Sequence, residues 1–182
     1  MNTVDMNGRV IQILDNFEKL EQEIAALLIK NHDLFKLLRD AHPDPLAQPI
    51  NDEIIEDMIT EFLPNGERNP RCRLFFEPFL STAQTEIISM LRLYPAQINP
   101  VNVYEGELYL QADIIVHQSI SRTKSGRRRN RILSELIKSL NGQSIKMLNT
   151  LTLLSKPVTL RQFNGDFWGY SLLLKTAIGT VR

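Results

Sequence analysis

The sequence predicts an α+β domain: a mainly antiparallel sheet covered by one helix, preceded by a long amino-terminal helix and a short second helix. Apolar residues recur at spacings of three and four early in the chain, and the period changes to two from residue 71. One further helical stretch then interrupts the strands, without the regular strand and helix alternation of a parallel fold. A chain of 182 residues, 43% of them hydrophobic, is long enough to bury one core.

In residues 10–38, Val10, Ile13, Leu14, Phe17, Leu20, Ile24, Leu27, Leu28, Phe35 and Leu38 share a stripe uninterrupted by proline, which predicts a long amphipathic helix bent near Asn31. At about 1.5 Å per residue it would run on the order of 40 Å, more than a small domain needs for its own core. Projection, or packing along a neighbour, is therefore expected. Pro43, Pro45 and Pro49 make residues 42–49 an elbow, because proline lacks the amide donor and biases its predecessor away from helix. Asn51 or Asp52 then caps a short helix with Ile54, Ile55, Met58, Ile59 and Phe62 as its buried side. Its acids Glu53, Glu56 and Asp57 lie near the positive end, where carboxylates are favoured without any metal.

Residues 71–76 and 82–93 read as strands, the second with Ala83, Thr85, Ile87, Ser89, Leu91 and Leu93 on one side and Gln84, Glu86, Ile88, Met90 and Arg92 on the other, and with half its surface exposed. Pro95, Asn99 and Pro100 signal a turn. Residues 107–120 alternate most cleanly: Leu108, Leu110, Ala112, Ile114 and Val116 point inward, and Tyr109, Gln111, Asp113, Ile115 and His117 point outward. A basic loop, SRTKSGRRRNR, opens a helix with Ile132, Leu133, Leu136, Ile137 and Leu140 on one face and Asn141-Gly142 as its stop. Residues 144–154, 158–163 and 167–176 return to strands, with Asn164-Gly165-Asp166 as a hairpin turn. Trp168, Tyr170, Leu172 and Leu174 share one side of the last strand.

A net charge of zero conceals a division. Residues 1–67, the acidic helical region with its elbow, hold 14 Asp and Glu against 5 Lys and Arg, while residues 68–182, the basic α+β domain, hold 7 against 16. Complementary potentials steer association, so the two parts suit contact within one molecule or head to tail between copies. The plainer reading is an acidic arm that precedes a basic domain.

Chemistry is bounded mostly by exclusion. A single Cys rules out an internal disulfide framework and a cysteine zinc cluster, and the three His, at 32, 42 and 117, are too dispersed to read as metal ligands. Neither a phosphate-cradling glycine loop nor a G-x-S-x-G elbow is present, so no enzyme activity, metal or cofactor is expected. Cys72 sits between two arginines that would lower its pKa, and His117 with Asp113 is the one acid and base pair to consider. No run approaches the roughly 20 apolar residues of a membrane span, and the chain start lacks a secretory pattern, so a cytoplasmic protein without membrane contact is expected.

The strongest local signal is the basic loop. Arg122, Lys124, Arg127, Arg128, Arg129 and Arg131 offer charge and forked donors to phosphates, or pair with carboxylates of the amino-terminal part or of a neighbouring copy. Arginines at a helix start oppose the helix dipole and call for a compensating partner. Aromatic residues do not interleave with them, so base stacking is not expected.

The segments LQADIIVHQSI, SGRRRNRILSELIKSLNG and FNGDFWGYSLLLKTAI, in this order within residues 75–178, together resemble the small head-to-tail joining and tail terminator proteins of tailed bacteriophages. The resemblance implies a structural virion protein of the neck or tail end, assembled in the host cytoplasm into a ring, commonly a hexamer. Such a ring terminates the tail tube and meets the head connector, without catalysis. It implies that Tyr109, Gln111, Asp113, Ile115 and His117 face neighbouring subunits or a channel, and that the basic loop meets the next ring, a neighbouring subunit or passing DNA. The alternative is a double-stranded nucleic-acid-binding protein using residues 122–131 and the helix after them. The absence of overall basic charge weighs against it.

Overall fold

The computed structural model describes residues 17–78, 86–100, 106–145, 150–153 and 158–178. It is an α+β fold with a large, mainly antiparallel sheet. In chain order the elements are α1 (Phe17–Ile29), α2 (His32–Arg39), a 3-10 turn (Pro45–Ala47), α3 (Asp52–Ile59), β1 (Leu74–Phe75), β2 (Ser89–Pro100), β3 (Gly106–His117) and a second 3-10 turn (Gln118–Ile120). A two-stranded hairpin of β4 (Arg122–Thr123) and β5 (Gly126–Arg127) leads into α4 (Arg128–Leu140), followed by β6 (Thr152–Leu153), β7 (Thr159–Asn164) and β8 (Phe167–Ile178). The six-stranded sheet has the order β1-β2-β3-β8-β6, with β7 on the same edge of β8 as β6. Among the described strands only β1 and β2 pair in parallel.

In place of one long helix, the described residues form two that meet at Asn31; residues 10–16 of the expected helix lie outside them. Asn31 explains the break. Its Oδ1 accepts from the Leu34 amide at 3.1 Å, capping α2, while its Nδ2 donates to the Glu135 carbonyl and to Ser139 Oγ of α4. An asparagine that caps a new helix and pins it to another cannot continue the first one. Neither helix projects: Leu20, Ile24 and Leu28 of α1 and Leu34, Phe35, Leu37 and Leu38 of α2 belong to the same core as the sheet. The sheet is therefore covered by α4 and α2 together, where one helix was expected, with α1 packed against both.

The short helix is capped by Asn51, whose side chain accepts from the Ile54 amide. Ile55 and Met58 are buried and Ile54 and Ile59 partly so, but Phe62 lies beyond the helix and is 57% exposed. The change of charge at residue 67 carries no break in packing. Asn69 donates to the Asp57 side chain and to the Thr60 carbonyl, and the Arg73 amide donates to the Met58 carbonyl.

β3 is the central strand, and its alternation matches the sequence: Leu108, Leu110, Ala112, Ile114 and Val116 all enter the main core. Tyr170, Leu172 and Leu174 of β8 share that side, with Trp168 at its rim. The expected turn at Pro95, Asn99 and Pro100 is absent, because β2 runs through all three with one irregularity between Pro95 and Gln97. Among the described residues β1 covers Leu91 and Arg92 of β2 alone, so beyond Arg92 nothing described pairs with that edge and proline there forfeits no described ladder bond. Among the strands expected at 71–76 and 144–154, only Leu74–Phe75 and Thr152–Leu153 form ladders, with an isolated bridge from Ser144 to Thr150. Residues 79–85, 146–149 and 154–157 of the expected strands and their flanks lie outside the described part.

Gly142, with φ of +80°, ends α4 as the sequence expects, in the left-handed conformation that favours glycine. Gly169 is required for another reason. A Cβ there would lie 1.6 Å from the Ile114 carbonyl oxygen, so the close approach of β8 to β3 admits no side chain.

Candidate functional site

Six cations adjacent in sequence are divided by the fold. Arg122 and Arg127 face each other across the β4–β5 hairpin, exposed, with no ion pair among the described residues. Arg131 is also exposed, and its Nε donates to the Ser125 carbonyl. Lys124 alone meets a carboxylate, Asp44 of the elbow at 3.4 Å, and its amide donates to the Pro43 carbonyl. The turn is made by Gly126 at φ of +119°, with Thr123 Oγ1 donating to the Gly126 carbonyl.

Arg128 leaves the surface altogether. It is 0% exposed, so it is withdrawn from any phosphate contact. Its Nε donates to the Ile120 carbonyl at 3.0 Å, Nη1 to the carbonyls of Leu37 at 2.8 Å and Asp40 at 2.6 Å, and Nη2 to the His42 carbonyl at 2.7 Å. The Leu37 and Asp40 carbonyls lie at the end of α2, where helical carbonyls lack partners and the dipole is negative, while that of His42 belongs to the elbow and that of Ile120 to the second 3-10 turn. This is the compensating partner that a basic helix start requires, and it consists of main chain, not carboxylates. A periodic signal existed for it: Arg128, Ile132, Leu136 and Leu140 are the four buried residues of α4 and recur every fourth position.

Arg129 turns the other way. Its guanidinium lies 5.8 Å from the centre of the Tyr170 ring, and its Nε is enclosed without a hydrogen-bond partner. With Val116, Gln118, Ser121 and Trp168 it lines a recess of about 230 Å³ at the amino end of α4. The Tyr170 hydroxyl donates to Asn130 Oδ1 at 3.0 Å. Sequence reasoning found no aromatic among the arginines because Trp168 and Tyr170 come from β8, some forty residues further along the chain.

The outward side of β3 is less open than its alternation implies. Asp113 is 1% exposed and accepts from Arg92 Nη2 at 2.9 Å, Tyr94, Gln111 and Ser171. Arg92, on a strand expected to expose half its surface, is 5% exposed and also donates to the Pro78 carbonyl. Burial pushes the Tyr94 hydroxyl up to about 12, with the Asp113 charge adding to it. Ile115 is fully buried against Ile88, Met90 and Phe167, with Phe75 and Phe163 around them. Both Asp113 and Ile115 are thus filled by contacts within the chain, whereas Tyr109, Gln111 and His117 remain partly accessible. The Tyr109 hydroxyl donates to Glu107 at 2.6 Å, and Glu107 pairs with Lys175.

The acid and base pair weighed from the sequence does not form. Four strand positions separate His117 from Asp113 by about 13 Å. His117 instead meets Ser119 Oγ at 2.6 Å and faces Asp166 at 4.0 Å, with its ring edge on Phe167. Cys72 is also buried. Burial pushes its thiol up to about 11, against the direction its flanking arginines suggest, and its Sγ donates to the Leu74 carbonyl. Asp57, one of the three carboxylates of the short helix, is taken up by Asn69 and Arg71. No described helix is long and apolar enough to cross a membrane.

The fold and its surface define a class: an α+β protein whose sheet is backed by helices on one side, with a basic hairpin at the start of the covering helix. A family model described as YomW matches residues 31–176, from the cap of α2 nearly to the end of β8, and the chain belongs to that family. No curated protein matches the sequence.

Proposed function

We propose that the protein is a structural subunit of a phage neck or tail end, which assembles with copies of itself into a ring that terminates the tail tube and joins it to the head connector. A hexamer is the favoured ring, the virion its destination, and neck, connector and tail-tube proteins its neighbours. One observation carries the proposal. Arg122 and Arg127 on the hairpin, and Glu53 and Glu56 on α3, are exposed charges of opposite sign without ion pairs among the described residues. A heterologous interface that closes into a ring needs two different, complementary patches of this kind. Tyr109, Gln111 and His117 on the open side of the sheet are further candidates for subunit contact.

The test is the mass of the purified protein by light scattering over a concentration series, with electron microscopy of any large species. Discrete rings are expected, and the double variant Arg122→Glu with Arg127→Glu should abolish them while shifting stability by less than about 0.5 kcal/mol, as substitutions of exposed, unpaired groups do. Arg128 is excluded from that variant because it belongs to the core. A monomer at every concentration, with salt-sensitive binding to duplex DNA lost in the same variant, would replace the ring reading with the double-stranded nucleic-acid one, which the same exposed arginines support.

A further inference from the structure

We infer that the recess between Arg129 and Trp168 is a binding site for single-stranded nucleic acid, which takes a backbone phosphate against Arg129 and Ser121 and stacks the adjoining base on the Trp168 indole. The inference is independent of ring formation and concerns residues distinct from the exposed hairpin arginines. Four features meet there. Arg129 is held over Tyr170, so its guanidinium is oriented before any ligand arrives, and its Nε is enclosed without an acceptor. The same is true of the Nε of Arg73 and of Arg92, but of the three only Arg129 is among the residues lining the recess.

Trp168 is the second feature. It is the chain's single tryptophan and lies 37% exposed at the recess, so part of its indole is available to a ligand there. Indole faces stack on any base, which gives affinity without sequence preference. Third, no side chain caps α4 and no acidic residue occupies its first turn, so the amino end of a thirteen-residue helix adds positive potential beside the recess. Fourth, the nearby carboxylate of Asp166 is engaged by Gln118 and faced by His117. Ser121 contributes a hydroxyl that makes no hydrogen bond among the described residues. At about 230 Å³ the recess is smaller than the cavities that enclose drug-sized ligands, yet open enough for one phosphate and sugar unit of a strand that continues outside.

Because there is one tryptophan, its fluorescence reports the site directly. Titration of the full-length protein with an oligothymidylate eight-mer should quench that emission saturably, with affinity falling as salt rises. Arg129→Gln should weaken binding about tenfold and reduce the salt slope by about one unit. Ser121→Asp, which places a carboxylate in the recess, should weaken it at least as much and remains informative if the arginine variant folds poorly. Trp168→Phe, followed by anisotropy of a labelled eight-mer, should also bind about tenfold more weakly. Absence of quenching at millimolar eight-mer would overturn the inference. So would retained affinity in Ser121→Asp and Trp168→Phe, or duplex DNA binding that ignores both while requiring Arg122 and Arg127.

Discussion

Arg128 and Arg92 are buried on opposite sides of the sheet, and the two are held by different means. On the helix side Arg128 gives its donors to four main-chain carbonyls drawn from α2, the elbow and the 3-10 turn. On the open side Arg92 is matched by the Asp113 carboxylate, with Tyr94, Gln111 and Ser171 completing that group's hydrogen bonds. The difference lies in what can be removed together. A pair of side chains can be exchanged for two apolar ones, but carbonyls of the main chain stay where they are whatever replaces the arginine.

That contrast can be broken at its strongest point first. Arg128→Met keeps the stem and leaves four carbonyls without a donor, and it should cost about 4 to 5 kcal/mol, measured as a shift in the denaturant midpoint. No apolar change in α4 should recover it. Asp113→Ala should cost about 3 kcal/mol because it strands a buried guanidinium, yet Arg92→Met with Asp113→Leu should restore most of the loss. A double variant as unstable as the single one would show that the open side, too, depends on fixed partners.

Gly169→Ala strikes the sheet between the two sides. The added methyl meets the Ile114 carbonyl, which is backbone and cannot swing away, so a loss of about 1 to 3 kcal/mol in thermal or denaturant unfolding is expected. The smallest effect lies at the rim of the helix side. The Asn69 amide holds the Asp57 carboxyl below its ordinary range, aided by Arg71. A carboxyl with a depressed folded-state pKa adds stability that is fully present above the ordinary carboxylate range and is lost as pH falls below it, through the depressed folded-state value. Asn69→Ala should therefore flatten the acid limb of the stability profile, in addition to a pH-independent loss from the carbonyls it leaves unbonded.

What the sequence conveyed follows from this geometry. The inward side of β3 and the stop of α4 were legible because periodicity and a glycine report on local burial and backbone. The passage of β2 through Pro95 and Pro100 was not, since it depends on how far β1 extends beside it, a fact about another segment. Nor was the division of the basic loop. Arg127 and Arg128 are neighbours with the same side chain, and only the position of the α2 carbonyls sends one inside. The site at Trp168 was invisible for the same reason: stacking and charge come from elements far apart in the chain.

The bonds of Arg128 span 86 to 91 residues from the elbow and α2. On a ribosome adding about 5 to 20 residues per second, α2 waits on the order of 5 to 20 s for the donor that completes its carboxyl end. Throughout that interval Leu34, Phe35, Leu37 and Leu38 lack the covering helix α4, and for its first part the strands β2 and β3 as well, so the nascent chain presents four apolar side chains of one short helix before all the means to bury them exist.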